Sequence, residues 1–342
     1  MSPFCISARA PTISSVNPRR LAALLLAAAL VLVVGAPAQA STLDPRLTQK
    51  LYVEPAGSAY NAAKAARRAG HTATAKKLEV ISKTAQGKWI GDWAGAKQTR
   101  VDVRTYVKAA AKTKRTPLVV VYAVPGRDCG GQSAGGLTAG AYKAWIRSVA
   151  AGLKDGAVKG KSRALVALEP DSLMMDCAGS SRSALIAYAA KTLAATGAWV
   201  YLDAGHSNWR TPADTATRLK AAGVRYARGF FTNVSNFNAT AAEKRYATKV
   251  GASLKSRGIT AAHRHYVVDT SRNGRATAKG QWCNPPKQGL GVKPRPSTAG
   301  GALDAYLWVK RPGESDGACN GGPGAGQWWQ AYALDLVKYR AR

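Results

Sequence analysis

Carboxylates are scarce in this chain, with 18 Asp and Glu among 342 residues, so their placement is informative. Seven stand just past short runs of strand-forming residues. Asp128 follows Leu118–Val124, Glu169 and Asp171 follow Leu165–Leu168, and Asp203 follows Trp199–Leu202. Asp269 follows Tyr266–Val268, and Glu314 and Asp316 follow Ala305–Val309. Helix capping by Asp accounts for one or two of them, such as Asp171 before Ser172. It does not account for Gly126-Arg-Asp-Cys129 and Glu314-Ser-Asp316 together. Carboxylates crowded into one site cannot all ionise, so one keeps its proton near neutral pH. A neutral acid beside an anionic carboxylate is what glycoside hydrolysis needs, the acid protonating the leaving oxygen and the anion assisting from the other side. Nine Trp against four Phe point the same way, because an indole offers a flat face to sugar C–H groups and an N–H to a hydroxyl. Trp89, Trp209 and Trp282 fall between periodic segments and read as sugar contacts, whereas Trp145, Trp199 and Trp308 fall inside them and read as core.

Other chemistries find weaker support. His206, in Leu-Asp-Ala-Gly-His-Ser, is a candidate base, but Gly-x-Ser-x-Gly is absent, which argues against an α/β-hydrolase triad. His263 and His265 flank Arg264 at a spacing that makes a poor metal pair, and Gly313–Gly326 lacks the Gly-Lys-Ser/Thr of a phosphate loop. Neither metal nor another cofactor is expected.

The elements that must position these groups alternate. Between the strand candidates, which begin with Leu51–Val53, lie helical patterns at Ala139–Leu153, Ser183–Thr196, Pro212–Ala222 and Ala239–Arg257. Such alternation implies a parallel sheet, and continuous apolar strands imply burial on both faces. Seven strands in about 300 residues fit one distorted β/α barrel, whose strand carboxyl ends converge on a single face. The Pro- and Gly-rich stretch Trp282–Gly301 reads as a long loop within that single domain. Arg9, Arg19, Arg20, the apolar run Leu21–Val34 and Ala38-Gln39-Ala40 read as a secretory leader over residues 1–40, cleaved near Ala40, with a catalytic domain over 41–342. Arg19-Arg20 leaves a twin-arginine route open beside the general one. No other apolar run approaches membrane-spanning length.

The formal charge of +32 invites a nucleic-acid reading, but the basic residues are scattered through Ala-rich stretches such as Ala62–Lys77 and Arg218–Arg228. Solvated helix faces explain them more simply, and no nucleic-acid partner is expected. Once Cys5 leaves with the leader, Cys129, Cys177, Cys283 and Cys319 remain. An even number without C-x-x-C in an oxidising compartment suggests two disulfides.

Tyr122-Ala-Val-Pro-Gly-Arg-Asp-Cys129, Leu168-Glu-Pro-Asp171, Tyr201-Leu-Asp-Ala-Gly-His206, Thr232-Asn-Val-Ser-Asn236, Asp269-Thr-Ser-Arg-Asn-Gly274, Trp282-Cys-Asn-Pro285 and Leu307-Trp-Val-Lys-Arg-Pro-Gly-Glu-Ser-Asp316 occur in that order. Together they resemble family six of the glycoside hydrolases, the inverting cellulases, over about Tyr52 to Tyr339. The resemblance implies Asp171 as general acid and Asp128 as the group that raises the acid's pKa and holds the water. It implies Asp316 as a disputed candidate base, Asp203 as a fourth carboxylate, and Tyr122 as the residue that forces the reacting sugar off its relaxed chair. Lys310, Glu314, His206 and Asn233 would contact hydroxyls, and Trp89, Trp209 and Trp282 would be stacking platforms. The implied disulfides are Cys129–Cys177 and Cys283–Cys319. Brief segments after Trp282 and after Gly317 leave little chain to roof the site, so the expectation is a monomeric, open-cleft endo-β-1,4-glucanase acting on cellulose or a related β-glucan. An exo-acting cellobiohydrolase, a non-catalytic glucan-binding protein and a basic nucleic-acid-binding protein are the competing readings.

Overall fold

The computed structural model describes residues 44–297 and 300–341. The expected leader, residues 1–40, lies outside the described residues. The strands are β1 (Lys88–Gly91), β2 (Leu118–Tyr122), β3 (Leu165–Leu168), β4 (Trp199–Asp203), β5 (Gly229–Thr232), β6 (His265–Asp269), β7 (Arg295–Pro296) and β8 (Leu303–Leu307). They form one sheet in the order β1-β2-β3-β4-β5-β6-β8-β7. Seven of the strands run parallel, as expected, and the two-residue β7 is an antiparallel addition on β8. The sheet curls until its ends nearly meet: Gly87 N–H donates to Trp308 O at 2.8 Å and Trp89 Nε1 to Val309 O at 2.8 Å. No ladder joins β1 to β8 among the described residues, which makes the barrel a distorted one.

Side-chain alternation explains the burial on both faces. Along the central strands Val119, Val121, Val166, Leu168, Val200 and Leu202 pack outward against the helices. Val120, Ala167, Tyr201, Phe231, Val267 and Leu307 fill the barrel interior. The outer helices include Ala139–Asp155, Ser180–Ala194, Pro212–Ala221 and Thr240–Ser256, each within a few residues of the sequence pattern. Thr138 and Thr211 cap two of them, and Pro212 at a first-turn position suits its missing N–H.

Two strand expectations need correction. Leu51–Val53 makes only a single bridge, Leu51 to Thr116, and the first strand is instead β1, which carries Trp89. Leu-Tyr-Val looks strand-like in isolation, but no neighbour extends its pairing, whereas Lys88-Trp-Ile-Gly pairs along its whole length with β2. The basic stretch Ala62–Lys77 is helical as read, and covers parts of two helices, Ser58–Arg68 and Thr72–Ser82, separated at Gly70 with φ 77°. The last parallel strand starts two residues before the expected Ala305 and ends at Leu307. Trp145 and Trp308 are core as expected, while Trp199 is half-buried between the guanidinium groups of Arg46 and Arg228, 4.3 and 4.1 Å from its ring. No helix among the described residues is long and apolar enough to cross a membrane.

Candidate active site

The carboxyl end of β2 turns sharply at Asp128, which has φ 57°, and Cys129, with φ 48°. The end of β3 does the same at Glu169, φ 52°, and Asp171, φ 65°. Non-glycine residues in the left-handed region are uncommon and gather where a side chain must be aimed. Glu169 supplies the anchor: it is fully buried, and its Oε2 accepts from Ala123 N at 2.9 Å and Val124 N at 3.0 Å, joining the ends of β3 and β2. Burial pushes its pKa up to about 8 in spite of these donors. Asp269 does the equivalent service at β6, accepting from Lys310 N at 2.9 Å and Ser271 N at 2.7 Å. The sequence pattern places both acids in a shared site, and the structure instead spends both on backbone N–H groups.

The acid that remains uncommitted is Asp171. Burial raises its pKa well above the usual carboxylate range, and the negative charges of Asp203, Asp128 and Asp316 add to the effect while Lys310 opposes it. That is the case of like charges forcing one site to stay protonated. Asp203, buried at the end of β4, is raised by burial to about 6 against the N–H groups of Gly205 and Leu173, which reach its two oxygens at 2.8 and 3.2 Å. Asp128 accepts from the backbone N of Ser133 at 2.7 Å and from its hydroxyl at 3.0 Å. The same hydroxyl stands 2.7 Å from Tyr122 Oη, so Ser133 links the tyrosine to the carboxylate. Burial also raises the Tyr122 phenol, which therefore stays neutral.

Asp316 is held differently. Its Oδ2 accepts from fully buried Arg272 at 2.8 Å and from Asn284 N at 3.1 Å, and Lys310 Nζ lies 3.3 Å from Oδ1. Burial alone would raise its pKa, but the cations Arg272 and Lys310 outweigh burial and keep it below the ordinary value. Asp316 is thus an anion throughout the neutral range. Asn284 returns the bond, its Oδ1 accepting from Asp316 N at 2.8 Å.

Both implied disulfides are present. Cys129–Cys177 ties the Asp128 turn to the loop after Asp171, and Cys283–Cys319 ties the Trp282 loop to the Asp316 loop, with sequence separations of 48 and 36. Loops of that size correspond to about 4 kcal/mol each on a chain-entropy account. A third link is polar: Ala318 N–H donates to Gln132 Oε1 at 3.1 Å, coupling the loops after β2 and β8.

The predicted sugar contacts divide. Trp282 is 46% exposed and Trp209 is half-buried, its ring 5.5 Å from that of His206. Burial lowers His206 to about 4, so the imidazole is neutral at ordinary pH, with Nδ1 accepting from Asn208 N at 3.2 Å and Nε2 left to carry the proton. That state suits a hydrogen bond to a hydroxyl. Trp89 is not a loop residue; it stands on β1, edge-on to Tyr122 with ring centroids 5.1 Å apart. Glu314 is half-buried beside Ser58 and Arg311. Asn233 is the clear correction: it is completely buried, and its amide donates to Asp269 O at 2.9 Å and Asn238 O at 3.3 Å. It shapes the turn after β5 and offers nothing to a sugar. Arg272 and Asn284 stand inside two of the quoted motifs without a role assigned to them, and Ser133 lies outside them all, because a Ser, Arg or Asn in a loop has no readable role until its partner is known.

A carboxyl group pushed toward its protonated form by burial and by neighbouring carboxylates, at the carboxyl end of a parallel α/β barrel, is the arrangement that glycoside hydrolysis needs. The family model described as Glycosyl hydrolases family 6 matches residues 47–340. Endoglucanase A of Cellulomonas fimi is 43% identical over 298 residues, covering 86% of this chain and 62% of that protein. The chain therefore spans somewhat less than two thirds of that relative. The structure of the endoglucanase Cel6 from Mycobacterium tuberculosis superposes with a TM-score of 0.77 at 38% identity, covering 86% of this chain and 99% of the other. A protein from Neosartorya fischeri named as a probable 1,4-beta-D-glucan cellobiohydrolase C is 33% identical over 69% of this chain and 64% of its own length. The chain belongs to glycosyl hydrolase family 6.

Proposed function

We propose that this protein is a secreted, monomeric endo-β-1,4-glucanase that cleaves internal bonds of cellulose or a related β-glucan with inversion, after removal of a leader ending near Ala40. The observation that supports it most is the raised pKa of Asp171 among three other carboxylates. Asp171 donates its proton to the leaving glycosidic oxygen, and a water attacks the opposite face of the anomeric carbon as the bond to that oxygen breaks. Asp128, fixed by Ser133, orients that water and accepts its proton directly or through a further water. Asp316 is a poor base, since two cations hold it as a stable anion. Its part is to set the charge and shape of the sugar site together with Lys310. Asp203 keeps the proton on Asp171, and Tyr122 presses on the reacting sugar.

Inversion fixes the configuration of the first product. Proton NMR during early hydrolysis of cellohexaose is expected to show the α-anomer of the new reducing end before mutarotation. A β-anomer appearing first would refute the single displacement. Exo action is the second reading, and the Gln132–Ala318 link is what favours it, because it joins two loops across the seam between β1 and β8. The exposure of Trp282 and the absence of a long insertion after Cys283 favour the open cleft.

A further inference from the structure

We propose that Trp93 is an additional sugar-stacking platform, extending the cleft beyond β1. The inference rests on the glucanase reading above. Trp93 follows β1 at the same sheet end as the carboxylates and is 62% exposed, more than Trp282. A single exposed indole is ordinary on a protein surface; its seat is what sets this one apart. Along β1, Ile90 packs into the helix-facing layer while Trp89 packs toward the barrel interior. Gly91, two residues beyond Trp89, shares the interior direction. A Cβ at Gly91 would overlap the six-membered ring of Trp93, so the chain folds the indole back over the interior side of the strand end, just past Trp89. Glycine leaves room for the ring there, and a larger residue would displace it.

The seat is also fixed. Asp92 accepts from Gly136 N at 2.7 Å and from Arg127, whose guanidinium in turn donates to Tyr122 O at 3.0 Å and Ser133 O at 2.8 Å. Trp93 is thereby tied to the segment that carries Tyr122, Asp128 and Ser133. In the sheet order Asp128, Asp171 and Asp203 follow β2, β3 and β4, between β1 on one side and the Trp209 and Trp282 loops on the other. An extended glucan seated on those loops and crossing the acids runs toward β1. An aromatic face there, on backbone anchored through Asp92, offers a further pyranose a stacking surface.

The test is chain-length dependence. Wild type, Trp93→Ala and Trp93→Tyr are compared in steady-state hydrolysis of cellotetraose and cellohexaose. Loss of one stacking contact predicts roughly a three- to tenfold rise in KM for cellohexaose in Trp93→Ala. Turnover of cellohexaose and both constants for cellotetraose should stay within twofold, and Trp93→Tyr should recover most of the loss. Unchanged cellohexaose kinetics, or an equal loss at both lengths, would overturn the platform while leaving the glucanase intact. A wild type that turns over neither oligosaccharide would overturn the glucanase reading, and the platform with it.

Discussion

Asp171→Asn is expected to lower turnover of unactivated β-1,4-glucan by roughly 10²- to 10⁴-fold, the usual weight of a general acid, while leaving cello-oligosaccharide affinity within a few-fold. The asparagine keeps the shape of the side chain and cannot donate the proton. Substrates whose leaving group needs no protonation should be far less affected, which separates loss of the acid from loss of the site. The same group sets the alkaline limb of the pH profile. On the proposed mechanism Asp171 works protonated, and its pKa is raised by burial and then by its carboxylate neighbours, so activity is expected to fall as pH rises through that raised value. Removing a neighbouring charge with Asp128→Asn lowers the Asp171 pKa, so whatever activity survives should lose its alkaline side at a lower pH than wild type. Near-normal turnover of polymer by Asp171→Asn would remove Asp171 from its role.

Arg272→Met carries the largest expected effect on stability. Arg272 is fully buried, donates to Asp316 and to Ser235 O at 2.7 Å, and lies 4.3 Å from the Phe237 ring. Taking away one partner of a buried ion pair leaves the other charge uncompensated, which costs about 3–5 kcal/mol. In wild type the folded pKa of Asp316 lies below its unfolded value of 3.8. Its contribution to stability is therefore present above pH 3.8 and fades as the pH falls below that toward the folded value. Without Arg272 burial wins and the Asp316 pKa rises, so the variant bears its penalty at neutral pH, where the carboxylate must ionise. Denaturant titrations should thus show a gap between wild type and variant near pH 7 that narrows as the pH falls through the variant's raised Asp316 value toward 3.8, and narrows further below it. A gap independent of pH would mean that lost packing, not the Asp316 charge, causes the effect. Lys310 remains beside Asp316 in the variant, which sets the lower end of the range as the better expectation.

The strands and helices that carry the acids were readable because each obeys a local rule. Leu-Val-Val-Val-Tyr is a buried parallel strand wherever it pairs, and Thr138 and Thr211 announce their helices through capping. β1 was hidden because Lys88-Trp-Ile-Gly has one β-branched residue and owes its conformation to the edge of β2. The cluster of Asp128, Asp171, Asp203 and Asp316 is legible from their position after strands, since topology converts that position into proximity. Their division of labour is not. Glu169 and Asp269 share the same address as Asp171, and only the direction of their side chains, toward backbone N–H groups or toward the cleft, tells them apart. The same holds for Asn233, whose motif is read easily but whose amide is consumed by the turn. Arg272 is the sharpest case, because what decides the charge state of Asp316 lies 44 residues away in the chain.

Simultaneous measurement of viscosity and reducing ends, with the chain from Ser41 onward acting on carboxymethylcellulose, tests the central claim most directly. An enzyme that cuts internal β-1,4 bonds in an open cleft makes viscosity collapse while few new ends have formed. Reducing ends accumulating while viscosity holds would contradict the open cleft and mark exo action. No change in either between pH 4 and 9 would contradict hydrolysis of this polymer altogether.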